Sequence, residues 1–385
     1  MASYRVLLYA KAADFSVGDL VEEVEHPKYL AWAVYLSDIG EAFFTMSQYD
    51  PKTTAFRANE GTGHIFIIRD DGVEETVVWR GIVAEHDAID EDVIFYCYGY
   101  EHFLFSLHSQ WKKTWKNVRI CGNTTGNYTA GNPIDDMWTR AKSFVKSPLQ
   151  WVADGSFHSP WVDDAHSAAL VLNKYTVNWK PILTIFRELT AIGLSDTSQI
   201  IRWQIHYSRL ATSKAATFSY VIDSDYVEPN LIMDYPGNIL DWSDRFIPVM
   251  LRNKTLGVGT GPRGQLYRFV KKVSGGTYGA ASFGLRQQNM YLSWVRDRAE
   301  LKRVVRRRTR LALRSDTNVW IRAYPDTMTP THVGSLEHLG SLAKVNIDTG
   351  ATVISANLLC VGEQVIWVNG REYVQPMLED RGATE

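Results

Sequence analysis

Two dipeptides limit most tightly how this 385-residue chain can fold. Asp71-Gly72 separates the run Ile65–Arg69 from Thr76–Ala84, and Asn369-Gly370 separates Gln364–Val368 from Glu372–Met377. Both pairs tolerate the positive φ of a tight hairpin, so each asks for two antiparallel strands. The first hundred residues repeat that punctuation. Tyr29–Leu36 and Ala42–Ser47 flank the turn formers Ser37–Glu41, and Asp87–Asp92 leads into Val93–Tyr100. Val77, Trp79, Gly81 and Val83 alternate and are expected on one face. Short strands with no long helix between them predict an antiparallel sandwich or barrel.

The pattern changes after about residue 110. Cys121–Pro133 is small and polar and reads as a loop. Pro181–Ile192 reads as a helix with Asn178 upstream, Pro181 in the first turn and Gly193 beyond the end. Ile182, Ile185, Phe186 and Leu189 supply its buried face. From Thr217 the chain returns to β. Phe246–Arg252 and Gln265–Lys271 flank a glycine-rich loop, and a charged helix follows near Trp294–Leu313. Asn318–Tyr324, Ala343–Ile347 and Val353–Cys360 read as further strands. The expected fold class is β-dominated α+β: an antiparallel β-barrel over 1–110, an α-rich module over 111–215, and a second barrel with an inserted charged helix over 216–385.

Composition narrows the function classes. The formal net charge is −2, whereas a general nucleic-acid binder is basic overall or along one face. Near-neutrality also removes the self-repulsion that keeps copies apart. Thirteen Trp, 19 Tyr and 15 Phe supply rings suited to packed contacts. Cys97, Cys121 and Cys360 form no CxxC pair, which argues against a zinc ribbon and fits buried reduced thiols. The start Met1-Ala2-Ser3-Tyr4-Arg5 lacks the form of a secretory signal, and no apolar run is long enough to span a bilayer.

Motifs for catalysis are weak. Gly259-Thr260-Gly261-Pro262-Arg263-Gly264 matches GxGxxG, but a dinucleotide site needs a helix after the loop, and Leu266–Val270 reads as strand. A hairpin loop is expected there. His158, Asp163, Asp164 and His166 lie close in sequence without a recognised ligand spacing. Glu74-Glu75 and Asp135-Asp136 are adjacent pairs whose side chains diverge on a strand. No GxSxG elbow or catalytic cysteine signature is present. The chain is therefore expected to have no catalytic residue, cofactor or metal.

The most unusual stretch is the basic run Arg296, Arg298, Lys302, Arg303, Arg306, Arg307, Arg308, Arg310 and Arg314, diluted by Asp297 and Glu300. Leu301, Val304 and Val305 give it an apolar stripe, so it reads as an amphipathic helix. Its cations could form a solvated face, a subunit contact or a DNA-contacting surface. The candidate interface residues are Arg296, Arg298, Arg303, Arg306, Arg307 and Arg310.

Val78-Trp79-Arg80-Gly81-Ile82-Val83, followed by Val93–Tyr100 and Glu101-His102, resembles the first barrel of phage tail hub proteins. Leu342–Asp348, Thr349-Gly350 and Val353–Val361 are similar to the closing barrel of hub-like minor tail proteins. The resemblance implies two tail-tube-like barrels per chain and a homotrimeric ring in the virion, at the tail tip, assembled in the host cytoplasm. The implied partners are a distal tail or tail tube protein, the tape measure protein, and tail fibre or tip proteins. Genomic DNA would pass transiently without stable nucleic-acid binding, because a strongly basic lumen would trap it. The Arg296–Arg314 run is accordingly expected not to line the pore continuously. Many family members carry a lytic extension, and with Glu385 following soon after the last hairpin none is expected here. The rivals are a carbohydrate- or receptor-binding tail protein, a hydrolase working through His158–His166, and a distal tail ring protein.

Overall fold

The computed structural model describes residues 3–13, 16–109, 112–119, 133, 136–137, 171–192, 201–207, 216–222, 231–245, 252–261, 264–276, 279–293, 295, 297–313, 318–323, 339, 342–350 and 353–380. Its first part is built from β1 (Ser3–Lys11), β2 (Val17–Glu25), β3 (Tyr29–Tyr35), β4 (Glu41–Ser47), α1 (Lys52–Ala58), β5 (His64–Asp70), β6 (Glu75–Ile89), β7 (Asp92–Gly99) and α2 (His102–Ser106). The middle part supplies β8 (Lys112–Arg119), β9 (Val171–Asn178), α3 (Ile182–Ile192), β10 (Ile201–Tyr207) and β11 (Ala216–Ile222). Then come β12 (Leu231–Tyr235), β13 (Ile239–Arg245), β14 (Lys254–Thr260), β15 (Leu266–Lys272), α4 (Ala280–Phe283), β16 (Gln287–Leu292) and α5 (Arg298–Leu313). The chain closes with β17 (Asn318–Ala323), β18 (Leu342–Asp348), β19 (Val353–Val368) and β20 (Arg371–Asp380). Strands dominate, and the class is β-rich α+β.

Both hairpins form. Asn369 and Gly370 adopt φ of 52° and 75°, and β19 pairs with β20 across them. The helix at Pro181–Ile192 also forms, with Ile182, Ile185, Phe186 and Leu189 all buried. Cys121–Asn132 and Phe246–Leu251 lie outside the described residues. So do His158, Asp163, Asp164, His166 and Asp135.

Several expectations need correction. Val77 does not share a face with Trp79 and Val83. Ile67 pairs with Trp79 and Ile68 with Val77, so Val78 is an extra residue that inverts the alternation. Val77 packs with Leu7, Phe66 and Ile68, while Trp79 and Val83 enter the main core. Val353–Cys360 and Gln364–Val368 are one strand. Its first half pairs with β18 and its second half with β3, and Gly362 sits where the register with β20 shifts. Of residues 111–215 the described part comprises β8, β9, α3 and β10, and most of the expected α-rich module lies outside the described residues.

Strands from the two ends join in one sheet. A single 13-stranded sheet runs β13-β17-β20-β19-β3-β4-β7-β6-β5-β1-β2, with β18 and β12 joined beside β19. Among the described residues this path stays open, with β2 at one end and β13 at the other. The reason is β19, which is long enough to leave one partner and continue along another. At its seam with β3, Tyr4 lies 5.0 Å from Trp32 and 5.9 Å from Trp367, measured between ring centroids. Arg69 donates to both carboxylate oxygens of Glu372 at 3.2 and 3.3 Å, and Tyr4 Oη also donates to Glu372. Burial, and Glu372 beside it, hold the Tyr4 hydroxyl well above its ordinary pKa.

Candidate assembly surface

The basic helix stands on a small sheet of its own. β14 pairs antiparallel with β15 and parallel with β16, giving the order β15-β14-β16. Asp297 starts the helix by accepting from the N–H of Ala299 at 2.7 Å and of Glu300 at 3.1 Å. Leu301, Val304 and Val305 then pack with Val295 and Leu292, and Tyr267, Phe269 and Met290 close the sides. Two glycines permit this contact. A Cβ at Gly257 would overlap Cγ2 of Val305, and one at Gly259 would lie 2.9 Å from the Val295 carbonyl. Gly259 therefore belongs to a helix-packing strand, and the turn after it is a hairpin in which Gly261 N–H donates to Gln265 at 2.6 Å. The GxGxxG match is not a nucleotide loop.

The amphipathic reading of the run is borne out. Arg298, Arg306 and Arg308 are exposed, Arg303 is half-buried, and Lys302 is exposed with its Nζ 5.9 Å from the Phe269 ring centre. Arg307 and Arg310 lie on α5, but their side chains fall outside the described set, as do Arg296 and Arg314 entirely.

Sequence reasoning about the run missed the sheet beneath it. Residues 252–313 contain fifteen Lys or Arg and two acids, so the rest of the chain carries 26 bases against 41 acids. The basic region thus begins at Arg252, well before the run at 296. A running charge count would have found it. On the sheet face opposite α5, Arg268, Val270 and Lys272 of β15 stand exposed beside Lys254, Leu256 and Val258 of β14. Leu266 and Tyr291 extend this face and are 59% and 82% exposed, a mixture of apolar and cationic groups unlike a purely solvated surface.

The described residues offer little for catalysis. None of them form a group of three or more His, Cys, Asp or Glu placed to hold a metal. Cys97 and Cys360 are buried, and burial pushes both thiols up, away from the reactive thiolate. A shallow surface cavity lined by Tyr35, Asp38, Ile39, Glu41, Tyr98 and Arg187 contains an ion pair between Arg187 and Asp38. No helix among the described residues is long and apolar enough to cross a membrane.

No family model and no curated protein matches the sequence. Solved structures do match its fold. A tail protein from Neisseria meningitidis MC58 is 12% identical with a TM-score of 0.58, covering 98% of this chain and 96% of that one. The 43 kDa tail protein of prophage MuSo2 from Shewanella oneidensis is 9% identical with a TM-score of 0.56, covering 98% of both chains. A chain of the half-lidded Francisella PdpA-VgrG complex is 9% identical with a TM-score of 0.50, covering 99% of this chain and 58% of that one. The chain shares its fold with the two tail proteins over 98% of its length.

Proposed function

We propose that this chain is a structural subunit of a phage tail: a hub whose copies form a ring, three to a ring, between the six-fold tail tube or distal tail ring and the tail tip. The observation that carries the reading is the shared fold with two tail proteins over nearly the full length of all three chains. Tail-tube-like units at 1–110 and 216–385 each contribute to the ring, a reading supported by the pairing of β3 with β19 across the two ends. The protein is non-catalytic. Its neighbours in the virion are a distal tail or tube protein, the tape measure protein and the fibres or tip, and DNA passes through without being held.

Ring formation follows ordinary assembly physics. A contact between unlike faces repeats from copy to copy, and if the rotation closes, a ring results. Native mass spectrometry and class-averaged images of the purified protein test the reading. Three-copy rings with a central opening are the expected result. A stable monomer that binds or cleaves host wall material would overturn it.

A further inference from the structure

The chain separates its charge by region. Residues 1–101 contain nineteen acids and seven bases, almost the mirror image of the fifteen bases and two acids of residues 252–313. Neither excess can be neutralised within its own region, yet the whole chain is close to neutral at −2. Charge sorted in this way suits contact between unlike faces of identical copies.

Two strands have matching features for that contact. Among the described residues, β2 ends the large sheet with β1 as its paired strand and α1 packed against it, and β15 ends the small sheet with β14 as its paired strand. On β2, Leu20 and Val21 are 51% and 41% exposed, between exposed Asp19 and half-buried Glu22 and Glu23, with exposed Glu25 beyond. On β15, exposed Leu266 and Val270 alternate with exposed Arg268 and Lys272. Both edges combine an exposed apolar pair with charge, of opposite sign on the two strands. Opposite charges placed across a strand pair contribute roughly 0.2–1 kcal/mol each, and like charges oppose pairing. Within the chain Glu22 and Glu23 pair with Lys52 and Arg5, and Lys52 Nζ also donates to the Glu23 carbonyl, so Asp19 and Glu25 are the acids of β2 offered to a neighbour.

We propose that β15 and the outer face of the small basic sheet dock against the acidic β2 edge of the next copy of this chain. This deepens the proposed ring by naming the surfaces that close it, and it rests on that reading. The sorting also accounts for the mixture of apolar and cationic groups opposite α5, which a merely solvated face would not need. Nucleic acid fits less well, because Leu266, Val270 and Tyr291 stand among the cations and the rest of the chain carries fifteen excess negative charges.

The test uses the full chain and three variants: R268E/K272E, D19K/E25K, and the fourfold variant carrying all these changes. Each two-site variant should raise the concentration for half-assembly by about tenfold or more, a shift of 1.4 kcal/mol. The fourfold variant restores opposite charge at every contact and should regain assembly whatever the number of copies per ring. Wild-type assembly should weaken with added salt. Circular dichroism of each variant confirms that it is folded. If the wild-type chain assembles and the two-site variants assemble equally well, or if the fourfold variant fails to recover, this docking is wrong while the ring stands. If the wild-type chain stays monomeric at every concentration, the ring itself fails. If R268E/K272E loses affinity for double-stranded DNA with assembly unchanged, the basic face is a nucleic-acid surface and the docking is overturned.

Discussion

The seam between β3 and β19 and the module of residues 252–313 handle charge in opposite ways. At the seam, Arg69 meets Glu372 through two hydrogen bonds, with Tyr4 as a third partner and Trp32 and Trp367 covering them. The Arg69–Glu372 pair is matched within the chain and largely kept from water. In the module, the apolar side of α5 is buried against Gly257 and Gly259, while Arg298, Lys302 and Arg308 face outward among very few acids. The seam is finished within one chain. The module is built as though its matching charge comes from elsewhere.

The largest effect that would test this contrast is at the seam. Trp32 is buried, pairs with Val365 across the junction and packs at a tilt against Tyr4. Trp32→Ala should cost about 3–5 kcal/mol, read by urea denaturation, and should destabilise both ends of the chain together. If only residues 1–101 lost protection from hydrogen exchange, the seam would not be a shared core.

A second buried carboxyl, Glu101, has no cation beside it among the described residues and should behave differently. Glu101 is buried and accepts from the backbone N–H groups of Gly40 and Ile205, yet burial raises its pKa from 4.5 to about 7. A carboxyl raised on folding holds its proton more tightly in the folded chain. Its contribution is therefore intact below the unfolded value and declines as pH rises through the folded one. Between about pH 4.5 and 7 the loss should reach about 3 kcal/mol, and the curve should then level. Glu101→Gln should flatten that segment when unfolding free energies are compared across the range. An unchanged slope would mean that the carboxyl stays ionised and well solvated.

Much of this architecture was legible from local chemistry. Asp71-Gly72 and Asn369-Gly370 placed two hairpins, and Leu301, Val304 and Val305 placed the buried side of the basic helix. What was not legible depended on distant partners. Val78 reads as one more apolar residue of an alternating strand, and only its pairing with β5 reveals the extra residue. Gly362 reads as a break in β19, although the strand continues through it between β3 and β20. The candidate surface was half visible: the arginines of 298–310 stood out by density, but Arg268 and Lys272 are dispersed among apolar residues. Their grouping with Lys254 appears only once β14 and β15 are paired.

The module gives a smaller and more local test. Gly257→Ala would push a methyl group into Val305, at a cost of about 1–3 kcal/mol. The loss should appear as faster amide exchange in α5 with the seam unaffected, since opening is a local event. Adding Val305→Ala makes room for the new Cβ, so the double variant should lose less than the two single changes together. Additive losses would show that the helix does not rest on Gly257.

The smallest expected effect separates folding from assembly most directly. If the cations of α5 were adhesive within the chain, removing them would weaken the fold. Arg298 and Arg308 are exposed, and the module carries thirteen excess positive charges, so Arg298→Gln and Arg308→Gln should each change stability by no more than about 0.5 kcal/mol. Like charges on one small sheet and helix repel, and salt screens that repulsion. Raising ionic strength should therefore slow amide exchange in α5 slightly in the wild-type chain, with a weaker response in the two variants. The seam should show none, because Arg69 and Glu372 are paired and largely shielded from solvent. A helix destabilised by salt would mean that its arginines are held by carboxylates of the same chain, and the contrast between the two regions would disappear.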